Sequence, residues 1–241
     1  MDMHRRFSIG ISFVAIAVFA AARAGETAEP IERDSRYPAE WWTPVPTEGA
    51  PNWEILPQAA GPGEVILSKR NELGLLSNFA ATPFDYRGKR YGSVEGFWQA
   101  MKYPEGPEDE RASWSDVEWR HTRDEVSAMT AWDAKRAGDA GDAIMRKKGI
   151  DWVTFEGKRM EYRPGAPGEH YSLIVEVTRE KVRQNPEAER VLLSTGDLVL
   201  RPDHHQGRNP PAAWRYYDIL TKIRDELGKQ AESKVEPEGK P

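Results

Sequence analysis

The 241-residue chain contains no cysteine, which excludes disulfide staples, a thiol nucleophile and lipid attachment to an N-terminal cysteine. It also lacks a Gly-x-Ser-x-Gly elbow, a P-loop and a Gly-x-Gly-x-x-Gly turn, so nothing points to those serine-hydrolase or dinucleotide-binding classes. The one long apolar run, from Phe7 to Ala22, follows Arg5 and Arg6 and precedes Ala22-Arg23-Ala24, the small-x-small form of a signal-peptidase site. A membrane span needs roughly 20 apolar residues. The run is therefore read as a signal peptide over residues 1–24 rather than an uncleaved anchor. That reading implies a periplasmic or secreted protein without stable membrane insertion. Excess positive charge is missing too. Lys and Arg total 34 against 39 Asp and Glu, a formal net charge of −5. Removing residues 1–24 takes away Asp2, Arg5, Arg6 and Arg23, a net +2, and leaves −7. Sequence-independent binding along duplex nucleic acid depends on phosphate neutralisation by Lys and Arg. The chain is a poor candidate for it, although a local basic pocket can still hold one nucleotide.

Residues 25–62 carry Pro30, Pro38, Pro44, Pro46, Pro51, Pro57 and Pro62, a spacing that resists helix and sheet alike. Tyr37, Trp41, Trp42 and Trp53 make the segment too apolar for a plain linker. It is expected to be an irregular arm laying its tryptophans on the domain, with Trp41 or Trp42 as possible ligand contacts. The domain itself is placed at residues 63–228, and a charged tail at 229–241 is expected to be disordered.

Within the domain, Glu64 to Ser68 reads as a first strand. Phe84-Asp85-Tyr86 and Lys89-Arg90-Tyr91 alternate across Arg87-Gly88, a hairpin signal. Ser93 suits the N-cap of a helix carrying Glu95, and Pro104 should end that helix soon after Lys102. Helical patterns dominate afterwards. The expected helices cover Asp124 to Ala137, with Val126, Met129 and Trp132 inward and Gly138 as C-cap. Others cover about 140–148, Leu173 to Val182, a segment opened by Pro186, and about Pro211 to Leu227. The resulting fold class is α+β: one mainly helical domain with a small hairpin and sheet element.

The chemistry concentrates in Ser77-Asn78-Phe79 and in Val94 to Lys102. On one helix, Glu95, Gln99 and Lys102 fall at i, i+4 and i+7, stacking a carboxylate, an amide and an amine on one face. Glu95 lies in the first turn, where the helix dipole favours its ionised form. Lys102 lies two turns on, about 10 Å of helix rise away. Phe97, Trp98 and Tyr103 are placed to desolvate it, while the helix C-terminus favours its ammonium form. Lys69 and Arg70 follow the first strand and can meet phosphate. Asp203-His204-His205 carries metal-capable side chains but no ligand spacing, so its histidines read as loop residues or as a proton donor, with no metal and no cofactor implied.

Gly74-x-x-Ser77-Asn78-Phe79, the hairpin, Glu95, Gln99-Ala100-x-Lys102, Lys135-Arg136-x-Gly138 and the Asp203 block together resemble the NADAR (YbiA-like) superfamily from about Glu64 to Leu227. The resemblance implies a single, largely helical α+β domain that cleaves N-glycosidic bonds of ribosylamino-pyrimidine phosphates or ADP-ribosylated guanine. It assigns Glu95, Lys102 and Asp203 to catalysis, with Lys102 attacking the anomeric carbon to give a Schiff base. Asn78, Phe79, Trp98, Gln99, Lys69, Arg70 and Trp214 become substrate-binding residues, and the partner a small nucleotide or ribosylated base. A ligand-binding module for ADP-ribose-like molecules is the alternative. Two positions depart from the family pattern. Gln206 stands where a tryptophan is common in Asp-x-x-Trp-Gly, which leaves Trp214 to replace it or the leaving base to differ. Gly96 follows Glu95 where many members carry a bulkier residue. Oligomeric state is not legible.

Overall fold

In the computed structural model, which describes residues 32–235, β1 (Glu64–Ile66) pairs in parallel with β6 (Val199–Arg201), in register Glu64 to Val199 and Ile66 to Arg201. Strand β6 is three residues long and half exposed, too short to leave a period-two signature. Parallel strands leave the sheet at the same end, and Leu67 N–H bonds to Arg201 O at 2.9 Å. This pairing delivers Lys69 and Asp203, more than a hundred residues apart, to one corner.

β2 (Phe84–Tyr86) and β3 (Lys89–Tyr91) form the expected hairpin across Arg87-Gly88. The short helix α1 (Val94–Ala100) follows it. Ser93 caps α1 as predicted, its hydroxyl accepting from Gly96 N–H at 2.9 Å. All seven residues of α1 are buried. It lies among α2 (Arg123–Ala128), α3 (Ala131–Lys148) and α4 (Glu169–Gln184). Gly96 permits the closest approach, since a Cβ there would stand 2.4 Å from Met129 O. A second hairpin, β4 (Trp152–Phe155) with β5 (Lys158–Glu161), was not anticipated. α5 (Pro186–Ser194) begins at its proline, and α6 (Tyr216–Val235) packs Tyr216, Ile219, Leu220 and Ile223 into the core.

Three expectations need correction. The single helix over Asp124 to Ala137 is two helices, broken at Met129-Thr130, with Trp132 turned outward rather than inward. The backbone groups released there find other partners: Ser93 Oγ donates to Met129 O at 2.9 Å, and Ala131 N–H to Phe79 O at 3.0 Å. Gly138 consequently lies inside α3, not at a C-cap; Gly149 is the C-cap. The final helix runs past Gly228 to Val235, so residues 229–235 are helical rather than disordered. One glycine costs a helix only about 1 kcal/mol, and the Lys-Gln-Ala-Glu run beyond it favours helix. The signal-peptide segment, residues 25–31 of the arm and residues 236–241 lie outside the described residues. Among the described residues, no helix is long and apolar enough to cross a membrane.

The arm packs as expected at Trp41 and Trp42, both core residues; Trp41 Nε1 donates to Glu72 and Trp42 Nε1 to Glu64 O. They are core anchors, not ligand contacts.

Lys181 on α4 is fully buried, and its Nζ donates to Ser77 O at 2.7 Å. Burial alone pushes its amine down to about 7. The unfolded chain then binds more protons than the folded one between pH 7 and the ordinary lysine value, so this group opposes folding most below pH 7 and least at high pH. Replacing it by Met should raise stability near pH 7 by on the order of 4 kcal/mol less the cost of one hydrogen bond. It should also flatten the rise of wild-type stability between pH 7 and 10. Denaturant unfolding across that range is the check, and an unchanged slope in Lys181→Met contradicts the assignment.

Candidate active site

α1 forms the floor of a cavity of about 790 Å³. Glu95 and Gln99 share one helix face as their spacing predicts, with Gln99 Nε2 donating to Glu95 Oε1 at 2.7 Å. Lys102 lies beyond the last helical residue, in a turn closed by Lys102 N–H to Gln99 O at 3.2 Å. The turn, not a continuing helix, brings the amine to the cavity. There Lys102 Nζ lies 2.9 Å from Asp142 Oδ1, donates to Gly138 O at 3.2 Å and sits 5.0 Å from the Tyr162 ring centroid. Tyr162 is thus the ring that covers the amine, held by Trp98 Nε1 at 2.9 Å from its hydroxyl.

Burial dominates both groups. It pushes the Glu95 carboxyl above the ordinary carboxylate range, although the Gln99 hydrogen bond and the Lys102 charge pull the other way. The first-turn dipole does not keep Glu95 readily ionised as expected. In a seven-residue buried helix, desolvation outweighs a partial charge worth about 1 kcal/mol. Burial likewise pushes the Lys102 amine down against the opposing charge of Asp142, which outdoes any preference for ammonium at the helix end. Each group is moved toward its neutral form.

Asp203 stands in the opposite electrostatic setting. Burial again pushes upward, but the His204 hydrogen bond and the Lys69 charge prevail and hold its carboxyl below the usual range. Lys69 forms an ion pair with it, His204 Nδ1 lies at 2.9 Å, and Tyr216 Oη donates to Oδ1 at 3.0 Å. The same Tyr216 oxygen accepts from Asp203 N–H at 3.1 Å. One cavity therefore holds a carboxyl group suited to carry a proton and another suited to remain charged, a division that separates acid from electrostatic roles.

Of the predicted binding residues, Asn78, Phe79, Trp98, Gln99, Lys69 and Trp214 line the cavity together with Glu95, Lys102 and Asp203. Asn78 also fixes the floor, its carbonyl accepting from Glu95 N–H at 2.9 Å. Arg70 does not join them. It grips Glu54 through two hydrogen bonds of 2.7 Å and so anchors the arm instead of meeting substrate. Gln206 and Trp214 both line the cavity, with Gln206 Nε2 donating to Trp214 O at 3.0 Å. Sequence reasoning missed Asp142, Tyr162, Arg163, Tyr216, Trp53 and Trp132. Only Asp142 left a signal, one turn beyond Gly138 on the same helix face. Among the described residues no group of three or more His, Asp or Glu side chains is placed to hold a metal ion.

No protein-family model matches the chain, and neither does any curated protein. Among solved structures, that of the E. coli protein YbiA is similar, with 19% sequence identity over 72% of this chain and 91% of that chain and a TM-score of 0.42. The likeness is distant.

Gly138 sets the position of Gln99, because a Cβ there would lie 2.0 Å from its Oε1 and 2.2 Å from its Cδ. Alanine favours helix over glycine by about 1 kcal/mol, but overpacking costs about 1–3 kcal/mol. Gly138→Ala should therefore destabilise by about 1 kcal/mol in wild type and cost nothing in a Gln99→Ala background, where the clash is absent. Urea unfolding in both backgrounds tests this. A Gly138→Ala protein more stable than wild type would mean that the amide is free to move.

Proposed function

We propose that the chain is an N-glycosidase acting on a ribosylated base or ADP-ribose-type nucleotide. The observation that carries this reading is the buried Glu95 and Lys102 in one cavity, each biased toward its neutral form. Breaking an N-glycosidic bond needs a proton for the departing base and stabilisation of positive charge at the anomeric carbon. A neutral Glu95 carboxyl supplies the proton. A neutral Lys102 amine supplies the nucleophile. The ionised Asp203 is available to stabilise charge on the sugar.

In this scheme Lys102 Nζ bonds to the anomeric carbon as the carbon–nitrogen bond to the base breaks. The electron pair leaves with the base, which takes the Glu95 proton. The attached nitrogen then returns a proton to the Glu95 carboxylate. The glycosylamine opens to a Schiff base, and water hydrolyses it to release the sugar and restore Lys102. The net change is one water consumed per bond cleaved. The apolar run at Phe7–Ala22 extends the proposal to an exported enzyme.

Incubation with ADP-ribosylated guanosine, NAD and a ribosylamino-pyrimidine phosphate should release base, detectable by chromatography. Borohydride should trap a covalent adduct in wild type and none in Lys102→Met. Glu95→Gln should lower turnover by about 10²–10⁴-fold. Ligand binding with no base released by wild type contradicts catalysis and leaves a binding module in its place.

The pH profile is a further prediction. Asp142 holds the Lys102 proton on, so Asp142→Asn should move the acidic limb of the rate profile to lower pH, because more amine is then neutral at a given pH. A limb that stays in place, or moves up, would show that Lys102 does not set it.

A further inference from the structure

Five large hydrophobic side chains are exposed among the described residues, and three of them, Trp53, Trp132 and Trp214, line the cavity that holds Glu95 and Lys102. Single exposed apolar groups need no explanation. Three indoles around one opening do, because exposed aromatic surface forgoes burial energy and tends to mark recognition sites.

Trp53 and Trp132 are the more telling pair. Trp132 is 51% exposed and Trp53 39%, with ring centroids 5.9 Å apart at 64°. Phe79 meets Trp132 at 5.3 Å and 87°. Even packed edge to face, both indoles keep ring surface exposed at the cavity.

Their backbones are fixed. The turn that carries Trp53 is clamped to the segment after β6 by Ile55 N–H to Asp203 O at 2.8 Å and His205 N–H to Trp53 O at 2.9 Å. Trp132 is the second residue of α3, whose start is tied to the Ser77-Asn78-Phe79 turn by Ala131 N–H to Phe79 O at 3.0 Å. The exposure is built in rather than left by a loose loop.

Resting on the glycosidase reading above, we propose that Trp53 and Trp132 form a second subsite at the cavity mouth that stacks a planar heterocycle of the substrate. The arm thereby contributes to specificity. A ribosylated ligand reaching Glu95 and Lys102 at the floor would pass this rim, and a planar ring is the chemistry that fits open indole faces. A ligand made only of sugar and phosphate offers nothing for these rings to stack on.

Calorimetric titration of the full chain with ADP-ribose and, separately, ribose 5-phosphate tests the subsite. ADP-ribose should bind more tightly. Trp53→Ala and Trp132→Ala should each weaken it by roughly 10- to 100-fold and leave ribose 5-phosphate unchanged. Trp132→Phe, which keeps a ring, should retain most of the affinity, and thermal melting should show all variants folded. Equal weakening of both ligands, no weakening in the alanine variants, a Phe variant as weak as Ala, or no binding of either probe overturns the proposal. Chromatography after incubation with NAD and ADP-ribosylated guanosine separates the two readings. ADP-ribose binding that depends on the tryptophans, with no base released from either of those substrates, retains the subsite and removes catalysis.

Discussion

Keeping a carboxyl group and an amine away from water in the same cavity is the constraint on which the rest of this structure depends. Isolated charges in a protein interior are strongly disfavoured, so such groups are neutralised, paired or hydrogen-bonded. Lys102 has Asp142, Gly138 O and the Tyr162 ring around its amine, and Glu95 has the Gln99 amide. Those partners come from α1, α3 and the chain after β5, which is why a seven-residue helix is enclosed on so many sides. Removing the Cβ at Gly96 and Gly138 is what lets the enclosing backbone and the Gln99 amide come so close.

The second carboxylate is held by different means. Asp203 follows β6, and only the parallel pairing of β6 with β1 sets it beside Lys69. Tyr216, at the start of α6, bonds both its carboxylate and its N–H, so the loop cannot rotate without losing two buried hydrogen bonds. The arm is stitched to the same loop at Ile55 and His205. Sheet corner, helix start and arm thus meet at one residue that stays ionised opposite one that resists ionisation, and the difference between them is environment, not residue type.

What the sequence made legible is what depends on neighbours along the chain. The β2–β3 hairpin, the Ser93 cap, the Glu95–Gln99 pair and the proline opening α5 each rest on a few adjacent residues, and each is present. What escaped depends on distant ones. The break at Met129-Thr130 exists because Ser93 and Phe79 accept or supply the missing backbone bonds, which no helical periodicity encodes. Strand β6 is defined by its partner. Asp142 and Tyr162 join the site only because α3 and β5 fold back over Lys102. Arg70 was misplaced for the same reason: Glu54, on a segment read as an arm, claims its guanidinium.

Burial moves Glu95 and Lys102 toward neutrality within one site. Carbon-13 NMR titration of glutamate side chains, with Glu95→Gln to assign the resonance, tests it most directly. The account predicts that the Glu95 carboxyl titrates clearly above 4.5, the ordinary value, and that Lys102→Met raises it further by removing a favourable positive charge. A Glu95 carboxyl titrating at or below 4.5, indifferent to Lys102, would contradict it.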